Sequence, residues 1–242
     1  MAVESRQPVP VLHVPPECAH VVLFGGTFDP PHVAHVDLAD LARRRVEADT
    51  GERAWLVFVP AARSPHKADP PEAGDRQRLE MVCIASAEVD RCAVWSDEID
   101  RARAGEPSYW ALTLERAAAQ AGGATLWFVI GADQAAAFDR WRDPRGLLDR
   151  ARPLVLPRGR VRDAAALREA MRSSGFWSDA ELDAWRNRFV AVPGVRAAST
   201  DVREADGGPF ETPLHPGVAA YARRHALYGM AADADAPAAD RS

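Results

Sequence analysis

The residues whose types and spacing point most clearly to chemistry lie in one stretch, VVLFGGTFDPPHVAH, from Val21 to His35. An apolar run leads into Gly25 and Gly26, which allow a backbone to approach a ligand closely. His32 and His35 follow one helical turn apart, so both imidazoles can donate N–H bonds to the same group. A helix starting after such a turn offers unpaired amides and its positive end, which favour a bound phosphate. We call residues 25–35 the glycine–histidine segment.

Two other interpretations of the histidines stay open at this point. An H-x-x-H pair can bind zinc, but no third ligand follows His35 at helical spacing. Isolated histidines are also often only surface or core residues. The combination of glycines, Thr27, Asp29 and both histidines directly after a strand favours the phosphate site.

The elements that would position these residues can be read from the apolar pattern. Strand-like runs alternate with helix-like segments, and they cover residues 21–24, 55–60, 93–95, 126–130, 153–157 and 189–192. This alternation is typical of a parallel sheet covered by helices on both faces. We therefore expect an α/β fold with a Rossmann-like, doubly wound open sheet. The glycine–histidine segment would lie beyond the carboxyl ends of its strands, at the switch point.

The first helix is expected to begin directly after Asp29. Asp29 is a suitable N-cap, Pro30 suits the first helical position, and an apolar stripe follows at Ala34, Leu38, Leu41 and Ala42. Further helices are expected over 74–89 and 108–121. The closing segment HPGVAAYARRHALYG should be a helix that begins at its proline and ends at Gly229.

The chain is expected to form one domain over residues 20–229. Within it, residues 161–187 resemble an inserted helical hairpin, because Ser178 and Glu181 have the spacing of a capping box. Residues 1–19 are expected to form a flexible extension and residues 230–242 a disordered tail.

Composition limits the partners and the compartment. The chain has 242 residues, a formal net charge of −5 and a pI near 5.8, which gives no general attraction to nucleic acid or to an anionic membrane. Its three cysteines, Cys18, Cys83 and Cys92, lack zinc or redox spacing, and an odd number argues against a disulfide framework. The N-terminus lacks the apolar region of a signal peptide. We expect a cytoplasmic protein; its oligomeric state stays open, with a homo-oligomer as one option.

The segment GGTFDPPHVAH resembles the GGTFDPxHxGH signature of the nucleotidyltransferase superfamily that transfers adenylyl groups from ATP. The closest resemblance is to the bacterial nicotinate-nucleotide adenylyltransferases, and it extends over about residues 20–229. Other segments match the family in order: FVPAARSPHK (58–67), DRQRLEM (75–81), EPSYWALTL (106–114), FVIGADQ (128–134) and ASTDVR (198–203).

The resemblance implies which residues hold the ATP phosphates. His32, His35 and Thr27 would do so beside Gly25, Gly26 and Phe28, with His35 nearest the α-phosphate. Ser199 and Thr200 would begin a second helix that grips the departing pyrophosphate, together with Arg203. His32, His35, Lys67 and Arg203 would thus form the catalytic set, and Mg²⁺ would be bound mainly by the phosphates themselves. From the residues alone, ASTDVR could equally be an ordinary helix N-cap.

The resemblance also implies a pocket for the mononucleotide. Trp141 would stack on the pyridine ring, and the remaining positions are His66, Lys67, Tyr109, Trp110, Thr113 and Asp133. Trp110 departs from the family, which usually has threonine there, so the pocket is expected to be reshaped. From the residues alone, Lys67 could be a solvated lysine, Asp133 a helix N-cap, and the aromatic residues simply core.

The expected reaction is transfer of the adenylyl group of ATP to nicotinate mononucleotide, giving deamido-NAD and pyrophosphate. Nicotinamide mononucleotide, phosphopantetheine or another phosphate ester are alternative acceptors. A nucleotide-binding regulator that has lost the reaction is a further alternative, although His35, Lys67 and Arg203 are all present.

Overall fold

A computed structural model describes residues 6–62, 70–106, 109–192 and 213–230 of the chain. Its centre is a sheet of five strands: β1 (His20–Gly26), β2 (Ala54–Pro60), β3 (Cys92–Val94), β4 (Thr125–Gly131) and β5 (Arg152–Leu156). All neighbouring strands are parallel, in the order β3-β2-β1-β4-β5. The switch point lies between β1 and β4, because the chain builds outward from β1 in both directions. The prediction of a Rossmann-like open parallel sheet is confirmed.

Nine α-helices surround the sheet within the described ranges. They are α1 (Val33–Thr50), α2 (Asp75–Ala85), α3 (Asp97–Arg103), α4 (Trp110–Gln120), α5 (Ala132–Ala136), α6 (Pro144–Arg150), α7 (Ala164–Arg172), α8 (Asp179–Asn187) and α9 (Pro216–Arg224). A 3₁₀ turn spans Phe138–Arg140. None of these helices is long and apolar enough to cross a lipid bilayer.

Alternating side chains of the strands build a core on each face of the sheet. Val21, Leu23 and Phe128 face α4 and the α7–α8 hairpin, in a cluster that also buries Trp185. Val22, Leu56, Phe58 and Val129 face the other way, toward α1 and α2. Continuous apolar runs such as VVLF are explained by this burial on both sides.

The first helix begins later than expected. Residue His32, not Asp29, is its N-cap, and Val33 is its first residue. Asp29 instead accepts hydrogen bonds from the backbone amides of Glu72 and Ala73, at 2.7 and 3.1 Å. These long-range partners cannot be read from local spacing, which is why the N-cap prediction was wrong.

The hairpin α7–α8 confirms the helical reading of residues 161–187 and its Ser178–Glu181 capping box. The hairpin is nevertheless more than a surface addition, because Leu167, Met171 and Trp185 are all fully buried in the main core. The final helix ends at Arg224, before Gly229, so its predicted length was too great.

Both edges of the sheet carry a short additional pairing. At the β3 edge, Val9 forms a parallel bridge with Trp95, and Leu12 is 1% exposed. Residues 6–19 are therefore packed, in contrast to the flexible extension expected over 1–19. At the β5 edge, Phe189 forms a bridge with Val155. That single bridge stands in place of the sixth strand expected over 189–192, because the pairing does not continue along β5. The tail from residue 231 lies outside the described residues.

Candidate functional site

The glycine–histidine segment leaves the sheet at the carboxyl end of β1, as predicted. Phe28 has a φ of 50°, in the left-handed region, and its side chain is only 2% exposed. The ring of Phe28 therefore belongs to the core, so only its backbone can contact a nucleotide. Non-glycine residues are uncommon at such φ values and are often found where a site constrains the backbone.

The two histidines cap one another. The backbone N–H of His35 donates to Nδ1 of His32, and the backbone N–H of His32 donates to Nδ1 of His35, at 3.3 and 3.2 Å. The rings are stacked with their centroids 3.5 Å apart. Because each Nδ1 is an acceptor, the proton of each neutral imidazole must be on Nε2. The Nε2–H of His32 can therefore donate to a ligand.

His32 is neutral at physiological pH. Burial, followed by the positive charge of Arg158, lowers the pKa of His32 from 6.5 to about 4. His32 therefore acts as a hydrogen-bond donor and not as a fixed positive charge. A phosphate at the site would favour the protonated form and raise this pKa again.

His35 is held by aromatic side chains from two elements. The ring of Phe28 lies edge-on to the imidazole, with the centroids 5.2 Å apart, and the Phe24 ring lies at 6.2 Å. Phe58 of β2 packs against both phenylalanines. This support fixes the ring orientation of His35.

Arg78 links the glycine–histidine segment to the end of β2. Its side chain is fully buried, and Nη1 donates to the carbonyl oxygens of Thr27 at 2.8 Å and Ala61 at 2.5 Å. Nη2 donates to the carbonyl of Ala62 and to the carboxylate of Asp75. Arg78 was not singled out from the sequence, although it lies in the DRQRLEM match, because nothing in its spacing shows that it bonds backbone carbonyls.

The C-terminal segment is bonded to the same loop. The hydroxyl of Tyr228 donates to Oδ1 of Asp29 at 2.6 Å, and the N–H of Val33 donates to the carbonyl of Pro213 at 3.1 Å. The backbone N–H of Tyr228 also bonds to Glu72. Asp29 thus accepts hydrogen bonds from two other parts of the chain, the backbone at residues 72–73 and the hydroxyl of Tyr228.

Across the switch point, the end of β4 supplies a second set of charged groups. Asp133 lies in the first turn of α5, and its carboxylate is 3.7 Å from Nε of Arg158. Both side chains approach the backbone of Gly131, where a methyl group would lie 2.6 Å from Oδ1 of Asp133 and 2.8 Å from Cδ of Arg158. Arg158 was not predicted as a site residue; its place two residues after the carboxyl end of β5 was the available signal.

The indole of Trp110 packs directly against the end of β1. A methyl group at Gly25 would lie only 2.7 Å from Cζ3 of Trp110, so this position requires glycine as long as the indole is there. The indole also packs edge-on against Phe128, with the centroids 6.3 Å apart. Trp110 is half-buried, and its Nε1 is buried without a partner among the described residues. The large side chain that stands here in place of the family's usual threonine therefore lies beside the glycine–histidine segment.

Trp141 and Tyr109 lie on the same side of the sheet as Trp110. The Trp141 ring lies 4.9 Å from that of Phe138, which in turn contacts the buried Trp185 of α8 at 5.0 Å. The α7–α8 hairpin thus supports Trp141 indirectly, through Phe138. The ring of Tyr109 is 38% exposed and is covered by the guanidinium of Arg142 at 4.8 Å.

Thr113 does not contact the pocket in this arrangement. Its side chain is fully buried, its hydroxyl donates to Glu98 at 2.6 Å, and it accepts from Arg101 at 2.7 Å. Thr113 was predicted to bind the mononucleotide directly. Its contacts instead give it a structural role between α4 and α3. The reason is its position on the inner face of α4, one turn after Trp110.

Five predicted site residues lie outside the described part of the chain: His66, Lys67, Ser199, Thr200 and Arg203. The described residues bring together Gly25, Gly26, Thr27, His32, His35, Trp110 and Asp133 at the carboxyl ends of β1 and β4. These ends form the switch point, where open parallel sheets bind nucleotides.

The chain was compared with known proteins. The family model "Cytidylyltransferase-like" matches residues 23–205. A probable nicotinate-nucleotide adenylyltransferase of Chromobacterium violaceum is 36% identical over 87% of this chain and 99% of its own length. One of a Roseiflexus species is 33% identical over 87% of this chain and 98% of its own. The solved nicotinic acid mononucleotide adenylyltransferase of Plasmodium falciparum, in complex with NaAD, has the same fold: its TM-score is 0.59, at 15% identity over 88% of this chain and 98% of its own.

The chain therefore belongs to the cytidylyltransferase-like family of nucleotidyltransferases. Within that family, the relatives of Chromobacterium violaceum and Roseiflexus carry the name probable nicotinate-nucleotide adenylyltransferase, and the resemblance stated from the sequence is confirmed.

Proposed function

We propose that this chain transfers the adenylyl group of ATP to nicotinate mononucleotide, forming deamido-NAD and releasing pyrophosphate. The observation that carries the proposal is the reciprocal capping of His32 and His35 at the carboxyl end of β1, which puts the proton of each neutral imidazole on Nε2. The relatives' name, over nearly their full length, supports the choice of substrates.

The reaction needs no nucleophile from the protein. An oxygen of the mononucleotide phosphate attacks the α-phosphorus of ATP, the bond from that phosphorus to the β-phosphate oxygen breaks, and pyrophosphate leaves. Such transfers depend on positioning and on neutralising charge, and well-oriented reactants can contribute about 7–11 kcal/mol. His32, His35 and Thr27 would hold the triphosphate, and Arg158 would add a positive charge beside them.

The mononucleotide would bind on the β4 side of the cleft. Trp141 presents an indole for stacking on the electron-poor pyridine ring. Asp133 would accept hydrogen bonds from ribose hydroxyls, and Tyr109 and Trp110 would line the pocket. His66, Lys67, Ser199, Thr200 and Arg203 keep the phosphate-binding roles that the family resemblance gives them, as proposals.

Mg²⁺ would arrive as part of the substrate MgATP. The carboxylates of Asp29 and Asp133 are engaged by backbone amides and by Arg158, respectively. Mg²⁺ keeps much of its water shell and binds readily to phosphate oxygens. The chain's contribution would be to hold the phosphates that carry the ion.

Purified protein with ATP and Mg²⁺, given either nicotinate or nicotinamide mononucleotide, tests the proposal. We expect dinucleotide and an equal amount of pyrophosphate, with the nicotinate form preferred. His35→Ala should lower kcat by about 100-fold or more, roughly the loss of one transition-state donor. Binding of ATP with no pyrophosphate released under any acceptor would instead identify a regulator.

The cellular setting stays a prediction. All three cysteines are free and buried, and burial raises the pKa of Cys83 to about 12 and that of Cys92 to about 11. Unreactive thiols of this kind suit the cytoplasm proposed for the enzyme.

A further inference from the structure

A cavity of about 370 Å³ opens at the end of the sheet opposite the glycine–histidine segment. We call it the basal cavity. The polar and aromatic residues that line it are Arg45, Asp49, Trp127, Arg152, Asn187 and Arg188. Trp127 and Gly131 are four residues apart on β4, which is about 13 Å along the strand. The basal cavity is thus separate from the site between β1 and β4.

The charges of the basal cavity do not balance. Arg45 is paired with Asp49, with Nε 2.6 Å from Oδ2. Among the described residues, no carboxylate forms an ion pair with Arg152 or Arg188. Two guanidinium groups at one cavity therefore have no counter-charge from the part of the chain that the structure describes.

Aromatic rings, and not acids, hold these two guanidinium groups in place. Cζ of Arg152 lies 5.2 Å from the ring centre of Trp127, and Cζ of Arg188 lies 5.5 Å from that of Trp185. Stacking of this kind orients a guanidinium but leaves its charge and its N–H donors in place.

The two positive charges also oppose one another. Burial, followed by the charge of Arg152, lowers the pKa of Arg188. An anion bound between the two groups would relieve this repulsion and use their N–H donors. Guanidinium groups bind phosphate through paired N–H bonds, and two of them match the charge of a phosphate dianion.

We propose that the basal cavity binds a small phosphate monoester between Arg152 and Arg188. The volume lies within the range of small-molecule sites, so there is room for an organic group beside the phosphate. The proposal does not depend on the reaction proposed above, because it uses residues at the other end of the sheet.

Ribose 5-phosphate is a suitable probe, since it carries a phosphate monoester without a base. At saturating concentration it should raise the Tm of the wild-type chain by about 2–4 °C. The shift should persist in His35→Ala and be lost in the double variant Arg152→Gln/Arg188→Gln. Arg186→Gln removes a charge from an exposed position of α8 outside the cavity and serves as the matched control. If the double variant does not fold, Arg152→Gln, at an exposed residue, replaces it.

Several results would overturn the proposal. They are the absence of any Tm shift in the wild type, a shift that disappears in His35→Ala but persists in the double variant, and an equal loss in Arg186→Gln. A shift of the same size with succinate would show that the cavity does not select phosphate. Inorganic phosphate could also raise the Tm, with a shift that persists in His35→Ala and is lost in the double variant. That result would support the site and show that it recognises the phosphate group itself.

Discussion

The indole of Trp110 occupies the space that a side chain at Gly25 would need. The two residues are far apart in sequence, yet a methyl group at Gly25 would come within 2.7 Å of Cζ3 of the indole. The glycine one residue before the end of β1 and the tryptophan that begins α4 are therefore a matched pair.

Gly25→Ala should destabilise the protein by about 1–3 kcal/mol, the usual cost of overpacking a closely packed site. In a Trp110→Thr background the same substitution should cost much less, because the clash is gone. Urea unfolding of the four proteins in this cycle measures the coupling. Equal costs in both backgrounds would show that the two residues are independent.

Tyr228→Phe removes the hydroxyl that donates to Asp29. We expect a loss of about 1 kcal/mol in the free energy of unfolding, together with a lower kcat, because this bond holds Asp29 in the loop that leads to His32 and α1. Tyr221→Phe is the control: it removes a comparable bond from α9 to Glu80, away from the histidines. Steady-state kinetics of both variants should separate them, and an unchanged kcat in Tyr228→Phe would argue against the positioning role.

The stability of the ligand-free protein should depend on the titration of His32. Its pKa is about 4 when folded and 6.5 in the reference state, so the unfolded chain binds more protons between these values. Stability is then fully present above pH 6.5 and is lost as the pH falls toward 4.

His32→Asn should reduce this loss between pH 7 and 5 by about 1 kcal/mol, a value discounted because the side chain is partly exposed. Asparagine keeps an oxygen that can cap α1. His215→Asn, at the N-cap of α9, controls for the exchange itself and should leave the loss in place. The same pH dependence in wild type and His32→Asn would remove His32 as its source.

Arg78→Met should cost about 3–5 kcal/mol of stability, because it leaves buried carbonyl oxygens and the Asp75 carboxylate without their donor. Arg76→Met is the matched control on the same helix: its side chain is 86% exposed and pairs with Glu80, so the loss should be below about 1 kcal/mol. Similar losses in both variants would mean that the bonds of Arg78 to the loop are unimportant.

The sequence was sufficient for the features set by local pattern. Apolar runs located the five strands to within about two residues, the capping box located α8, and the order of motifs identified the family. Where side chains bond to backbone groups that are distant in sequence, their partners were predicted wrongly or not at all. Asp29 looks like an N-cap but binds amides at 72 and 73, and Arg78 looks like a surface arginine but is fully buried. Thr113 was assigned from its motif, whereas its direction depends on how α4 packs.

The single-residue bridges at Val9 and Phe189 have a consequence for handling the protein. Exposed sheet edges recruit strands from other molecules and lead to aggregation. The bridges cover part of each outer strand, on β3 through the N-terminal segment and on β5 through the residues after α8. Deleting residues 6–14 to obtain a shorter enzyme would uncover the β3 edge, so the solubility of such a truncated protein would fall even if its active site were intact.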